Sequence, residues 1–243
     1  MIHILSYSVL ILFLIVIIYS GWILYIRGAG RNEEWKVALR EGKISGNIQR
    51  MEFFYPDKIR FFAWWSQAER LKKNRIEGAY AELGVYKGDS ARILHYLDPS
   101  RKFHLFDTFT GFTEKDLAGE TGEAATYQPS NFADTYINKV LTRISGNENI
   151  ILHPGYFPDT AAEVASEQFA LVNLDADLYA PTRAGLEFFY PRLAKGGVIF
   201  VHDYNNKWPG ILKAVDEFAA TIPGELVRVN DKEGTIMIIK SED

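Results

Sequence analysis

The 243-residue chain contains no cysteine. Disulfides, zinc–thiolate centres and cysteine nucleophiles are excluded, and a reducing compartment is permitted. It also lacks a basic block. Lys and Arg number 27 against 31 Asp and Glu, for a formal net charge of −4, so nucleic acid is not an expected partner. Internal repeats and low-complexity runs are missing, as is any phosphate-binding lysine motif. No Lys or Arg precedes the first apolar run.

That run extends from Ile4 to Ile26 without a charged residue. As a helix it would measure about 34 Å, enough for a bilayer core of about 30 Å. Tyr19, Trp22 and Tyr25 lie where an aromatic belt would sit, and Arg27, Arg31, Lys36 and Arg40 follow. The positive-inside rule then puts the short N-terminus outside and the remainder in the cytoplasm. A cleaved signal peptide fits less well: there is no basic n-region, the run is too long, and Gly28-Ala29-Gly30 follows Arg27. A buried core helix fits poorly because every face is apolar. The expected organisation is a single-pass anchor over 1–27, a polar linker or helical neck over 28–50, and one folded domain over 51–243. Roughly 200 residues are enough to bury a core.

Aromatics make up 14% of the chain, and part of that share clusters between Phe53 and Trp65. The pattern predicts a helix packing on the domain edge rather than a membrane-facing surface. From Gly78 onward strand and helix patterns alternate. Strands are expected over 79–83, 102–106, 149–153, 169–174, 197–202, 225–230 and 234–239. Helices are expected near 88–97, 132–144, 159–167, 182–193 and 209–221. The fold class is therefore α/β, with a Rossmann-like, seven-stranded, mostly parallel sheet. The turn Asn230-Asp231-Lys232-Glu233-Gly234 makes the final pair a hairpin, so the last strand runs antiparallel. Residues 108–131 are polar and carry Gly111, Gly119 and Gly122. They leave the binding side of the sheet and read as a lid.

Three constellations carry chemistry. First, the strand 79–83 ends in Glu82-Leu83-Gly84-Val85-Tyr86-Lys87-Gly88. Gly84 would let the backbone approach a ligand and Gly88 would open a helix. The spacing lacks the third glycine of a dinucleotide turn, and Glu82 would repel phosphate but welcome a cation. Second, Asp107 at the end of the next strand is placed to take the hydroxyls of a ribose. A nucleoside without phosphates follows, and S-adenosylmethionine is a common ligand of that description. Third, Asp175 and the pair His202-Asp203 end adjacent strands on the same edge. They could converge on an oxygen-seeking cation such as Mg²⁺, or they could merely cap helices.

Together these runs resemble a known family. Glu82-Leu-Gly-Val-Tyr-Lys-Gly88, Leu174-Asp-Ala-Asp-Leu-Tyr-Ala-Pro-Thr182, Tyr190-Pro-Arg-Leu-Ala-Lys-Gly-Gly197, Val201-His-Asp-Tyr204 and Gly210-Ile-Leu-Lys-Ala-Val-Asp-Glu-Phe218 look like the macrocin O-methyltransferase (TylF-type) family of class I S-adenosylmethionine-dependent methyltransferases. The resemblance covers about 50–240. It implies an O-methyltransferase acting on a sugar or glycan hydroxyl with a divalent cation, Mg²⁺ or another. Glu82, Gly84 and Gly88 would line the methionine end of the cofactor, Asp107 the ribose, and Gly155 and Tyr156 the adenine. Asp175 would be metal ligand and general base, with His202 and Asp203 completing the metal set. His202 departs from the family's two consecutive acids, and without metal His202 could be the base. Expected partners are a small-molecule or glycan acceptor and the membrane, with a homo-oligomer allowed. Two rivals are an inactive membrane-anchored scaffold and an NAD-dependent sugar-modifying oxidoreductase.

Overall fold

A computed structural model describes residues 2–26, 31–146, 148–223 and 226–241. Arg27 and Gly28–Gly30, which bear on the inner flank and the weighed cleavage site, lie outside the described residues. Two compact units divide the chain, Met1–Arg50 and Met51–Asp243.

In the first unit, α1 (Ile2–Ile26) is an uninterrupted helix. Its Tyr7–Tyr25 stretch is long and apolar enough to cross a membrane, and none of it is buried in the protein. The neck is largely helical. In α2 (Glu33–Arg40) the Asn32 side chain caps the start, accepting from the Trp35 N–H at 2.8 Å. A further helix, α3 (Gly46–Phe54), follows after Ser45.

The second unit takes in the last turn of α3 and continues with α4 (Lys58–Lys73). Asp57 caps it: one carboxylate oxygen accepts from the Arg60 N–H at 3.1 Å, the other from the Lys232 N–H at 2.9 Å. Then come β1 (Ala79–Leu83), α5 (Asp89–Leu97), β2 (Phe103–Asp107), α6 (Glu114–Leu117), α7 (Ile137–Ile144), β3 (Ile150–Pro154), β4 (Phe169–Leu174), α8 (Tyr179–Arg192), β5 (Leu193–Val201), α9 (Pro209–Ala219), β6 (Leu226–Val229) and β7 (Thr235–Ile239). The strands form one sheet in the order β3-β2-β1-β4-β5-β7-β6, all parallel except β7, which runs antiparallel to both neighbours. The expected mostly parallel sheet with an antiparallel last strand is what forms.

Every residue of β1 and β4 is buried, as two helix-covered faces require. On one face Phe106, Phe157, Phe169 and Phe189 interlock, with ring centroids 5.0–5.8 Å apart. Each such side chain contributes about 2 kcal/mol through burial.

Several boundaries differ from expectation. Within the segment 108–131, which reads from the sequence as a lid with no regular elements of its own assigned, lie α6 and a 3₁₀ turn over Gly122–Thr126. The helix expected from 132 starts at Ile137, and the one near 159–167 is a 3₁₀ helix over Asp159–Val164. β5 begins at Leu193 rather than 197. Leu193 pairs with Phe169, but the next pair is Val198 with Leu171, so the extra residues bulge out. Gly196, at φ +74°, allows that bend.

Candidate functional site

Sheet register assembles the site. Leu83 pairs with both Phe106 and Leu174, Leu174 with Val201, and Asp107 with Pro154. One step further along, Pro154, Asp107, Gly84, Asp175 and His202 come out in a row across five parallel strand ends, with Gly155 the next residue after Pro154. Ligands bind at this carboxyl edge of such sheets. A cavity of about 430 Å³ opens there, lined by Gly84, Asp107, Gly155, Tyr156, Asp175, His202 and Asp203, with Phe112, Phe132 and Trp208 among its aromatic walls. The volume falls within the usual range for small-molecule sites.

Gly84 is required by the protein itself. At φ +88° an added Cβ would stand 2.0 Å from the Asp175 carbonyl oxygen. The chain after β1 and the chain after β4 thus press together with no room for a side chain. Asp107 locks the turn that follows. One of its carboxylate oxygens accepts from the Val85 and Tyr86 N–H groups at 2.7 and 2.8 Å, the other from the Phe109 N–H at 2.7 Å. Three acceptor directions of the carboxylate are used and one stays open. Asp107 therefore shapes the glycine turn first and can accept one ribose hydroxyl, not two, as it stands.

Two expected cofactor residues sit elsewhere. Glu82 is fully buried beneath the turn, where it accepts from the Asn173 side-chain amide at 2.7 Å. Burial lifts its carboxyl to about 8, against hydrogen bonds from Ser90 and Asn173 that favour the charged form. A carboxyl held there is not a surface charge offered to a cation. Gly88 begins α5 at φ +80° and faces α7, since an added Cβ would meet Val140 Cγ1 at 3.0 Å. Neither residue lines the cavity.

At the other end of the row the expected trio converges: donor atoms of Asp175, His202 and Asp203 lie within 4.8 Å of one another. His202 Nδ1 is 3.0 Å from an oxygen of Asp175 and 3.0 Å from an oxygen of Asp203. The second Asp175 oxygen accepts from the Arg60 guanidinium at 2.7 Å. Burial opposes the Asp175 charge, but His202 and Arg60 outweigh it and hold the carboxyl far below the usual carboxylate range. Burial likewise opposes a charged His202, yet Asp175 and the hydrogen bonds to both carboxylates raise the ring to about 10. Asp177 shares a hydrogen bond with Asp203, and burial together with the Asp175 charge pushes its carboxyl up. Asp177 and Asp203 both adopt φ +61°, a left-handed backbone that aspartate tolerates better than most residues.

Arg60 and Asp177 were not singled out as functional from the sequence. Arg60 lies in the first turn of α4, 6% exposed, its guanidinium 4.7 Å from the Trp64 ring. A lone arginine inside the Phe61-Phe62-Trp64-Trp65 cluster was the available signal, because a buried charge needs a partner.

The donor set does not suit Mg²⁺. Magnesium takes oxygen ligands in strict octahedral geometry. Here one donor of three is nitrogen, that nitrogen is already at hydrogen-bond distance from both carboxylates, and a guanidinium occupies the free side of Asp175.

The lid is tied down over the cavity. Thr113 caps α6 on Asp116, and the Tyr156 hydroxyl donates to Asp116 at 2.7 Å. Glu120 accepts from the Tyr179 N–H at 2.6 Å, supplying the N-terminus of α8 with the cap its own Leu178 lacks. The Glu123 N–H donates to the Lys207 carbonyl at 2.7 Å, and Trp208 Nε1 lies 3.3 Å from the Tyr127 hydroxyl.

Comparison with known proteins places this geometry among methyltransferases. A family model described as Macrocin-O-methyltransferase (TylF) matches residues 58–235. The chain is 25% identical over 147 residues to an 8-demethyl-8-(2,3-dimethoxy-alpha-L-rhamnosyl)-tetracenomycin-C 4'-O-methyltransferase of Streptomyces olivaceus, covering 56% of each protein. It is 29% identical to a mycinamicin III 3''-O-methyltransferase of Micromonospora griseorubida over 68% of this chain and 70% of that one. Among solved structures, the O-methyltransferase NovP superposes with a TM-score of 0.65 at 23% identity, covering 76% of this chain and 81% of its own. The chain thus spans little more than half the length of the Streptomyces relative. The likeness to NovP concerns the fold.

Proposed function

The chain belongs to the macrocin O-methyltransferase (TylF) family, and on that premise we propose that it transfers a methyl group from S-adenosylmethionine to a sugar hydroxyl. The observation that carries the reading is the row of strand ends. Gly84 and Asp107 provide a seat for a ribose-bearing ligand beside Asp175 and His202, inside one lidded cavity. The cavity residues suit the cofactor: Asp107 keeps one acceptor direction for a hydroxyl, the Gly84 backbone carries no side chain to block approach, and Tyr156 and Phe132 offer flat apolar walls. When bound, the cofactor supplies a methyl group already activated as a sulfonium.

The chain's own work is to hold the acceptor oxygen and take its proton. Asp175 is a weak base, because Arg60 and His202 hold its two oxygens. His202 lines the cavity with Nδ1 fixed by two carboxylates, which leaves Nε2 as the ring atom able to receive the acceptor proton once a ring raised to about 10 has given up its own, so turnover should climb with pH toward that value. Asp175 and Asp203 stabilise the imidazolium that results. Phe112 of the lid and the adjoining Phe132, with Trp208, exclude water and give a sugar ring apolar surface to rest on. No divalent cation enters this step.

The acceptor is expected to be a glycoside, in line with the rhamnosyl compound named for the Streptomyces relative. An α1 spanning the membrane would hold the domain at the cytoplasmic face and bring membrane-associated glycosides within reach. The test is methyl transfer from labelled S-adenosylmethionine to a panel of aryl rhamnosides. Asp175→Asn, which frees His202 and Arg60, is expected to remove turnover while S-adenosylhomocysteine affinity stays within about threefold. Unchanged turnover in that variant would sink the assigned role.

A further inference from the structure

Arg60 is a buried charge at the site that sequence motifs did not mark, and its position changes the electrostatics of the whole cluster. It comes from α4, before the first strand, and reaches Asp175 across 115 residues of chain. Its side chain is 7% exposed. A guanidinium in that position cannot give up its proton, so the cluster carries one permanent positive charge. Against it stand the carboxylates of Asp175 and Asp203. His202 contributes a ring whose Nδ1 is 3.0 Å from an oxygen of each. A bare nitrogen lone pair facing two carboxylate oxygens at that distance would be repelled. An N–H there donates to both. The place between the three side chains, where a metal ion would have to sit, is therefore suited to a hydrogen on nitrogen.

We propose that this site runs without a divalent cation, Arg60 and His202 supplying the positive charge that holds Asp175 and Asp203 together. The proposal rests on the methyltransferase reading for its catalytic meaning, though not for its test. With the ring charged, Arg60 and His202 balance Asp175 and Asp203 and the group of four is neutral without a metal ion; a neutral ring would leave a net charge of −1. A dication in the same place would leave a surplus of positive charge beside a guanidinium that cannot move to bulk water, and it would compete with the proton for Nδ1. Arg60 acts here as a positioning residue: it touches Asp175, not the substrate cavity.

The experiment uses the full chain in detergent and Mn²⁺ as the probe, followed by its electron paramagnetic resonance signal, with Mg²⁺ competing. The wild-type chain is expected to show no stoichiometric Mn²⁺ binding in the micromolar range. His202→Asp, which replaces the N–H with an oxygen ligand, and Arg60→Met, which removes the resident charge, are each expected to bind Mn²⁺ at least about tenfold more tightly than wild type. Arg60→Lys restores the charge and is expected to abolish the gain, a rescue that a merely structural arginine would not show. The proposal is overturned if the wild-type chain binds one Mn²⁺ tightly and Asp175→Asn releases it, or if neither His202→Asp nor Arg60→Met gains affinity. S-adenosylhomocysteine titrated by calorimetry into the same samples reports separately on the cofactor seat. Its failure to bind would remove the methyltransferase reading and leave the metal result standing.

Discussion

Replacing Glu82 with Gln should make the protein more stable at alkaline pH and flatten its stability profile. Glu82 is fully buried, and burial raises its carboxyl from 4.5 to about 8. Between those values the folded chain keeps a proton that the unfolded chain has released. The stability that this proton confers is complete below pH 4.5 and is lost as pH climbs through 8. Each pH unit in the window costs about 1.4 kcal/mol, so wild type should lose roughly 3 kcal/mol between pH 5.5 and 7.5 from this group alone. Gln has the shape of the protonated acid. Its oxygen can still accept from the Asn173 amide, now at 2.7 Å from Glu82, and it has nothing to ionise. Urea unfolding of both full-length proteins in the same detergent, followed by tryptophan emission at pH 5.5, 6.5, 7.5 and 8.5, gives the comparison. The Glu82→Gln advantage should grow with pH. Parallel curves for the two proteins would refute the reasoning, since every other titrating group is common to both.

Gly84→Ala should destabilise by at least about 2 kcal/mol, from the left-handed backbone and from a Cβ set against the Asp175 carbonyl; thermal unfolding and S-adenosylhomocysteine affinity should worsen together. Tyr156→Phe removes the hydroxyl that donates to Asp116 and should loosen the lid by about 1–2 kcal/mol. Calorimetry should then show cofactor affinity weakened by about tenfold, with overall melting little changed.

Much of this was legible in the chain. Period and turn chemistry gave the seven strands, because central parallel strands such as Phe169–Leu174 are apolar but for Asn173 and end abruptly at polar residues. The strand ends then located Asp107, Asp175, His202 and Asp203 on one edge. What the sequence hid depends on long-range packing. Glu82 reads as a ligand-facing acid, yet its side chain points beneath the turn to Asn173, 91 residues away. Gly84 reads as room for a ligand, while the closer demand comes from the Asp175 carbonyl. Arg60 looked like one residue of an edge helix because its partner lies on β4's far end. The lid's order is also tertiary: Asp116 and Glu120 are pinned by Tyr156 and by the α8 N-terminus, neither adjacent in sequence.

The central claim is that the strand-end row seats S-adenosylmethionine. Calorimetric titration of S-adenosylhomocysteine into the full-length protein tests it most directly, with NADH titrated in parallel. The account predicts saturable one-to-one binding of the former, weakened when Asp107→Ala releases the turn at Val85 and Tyr86, and no response to NADH. Saturable NADH binding with no heat from S-adenosylhomocysteine would contradict it.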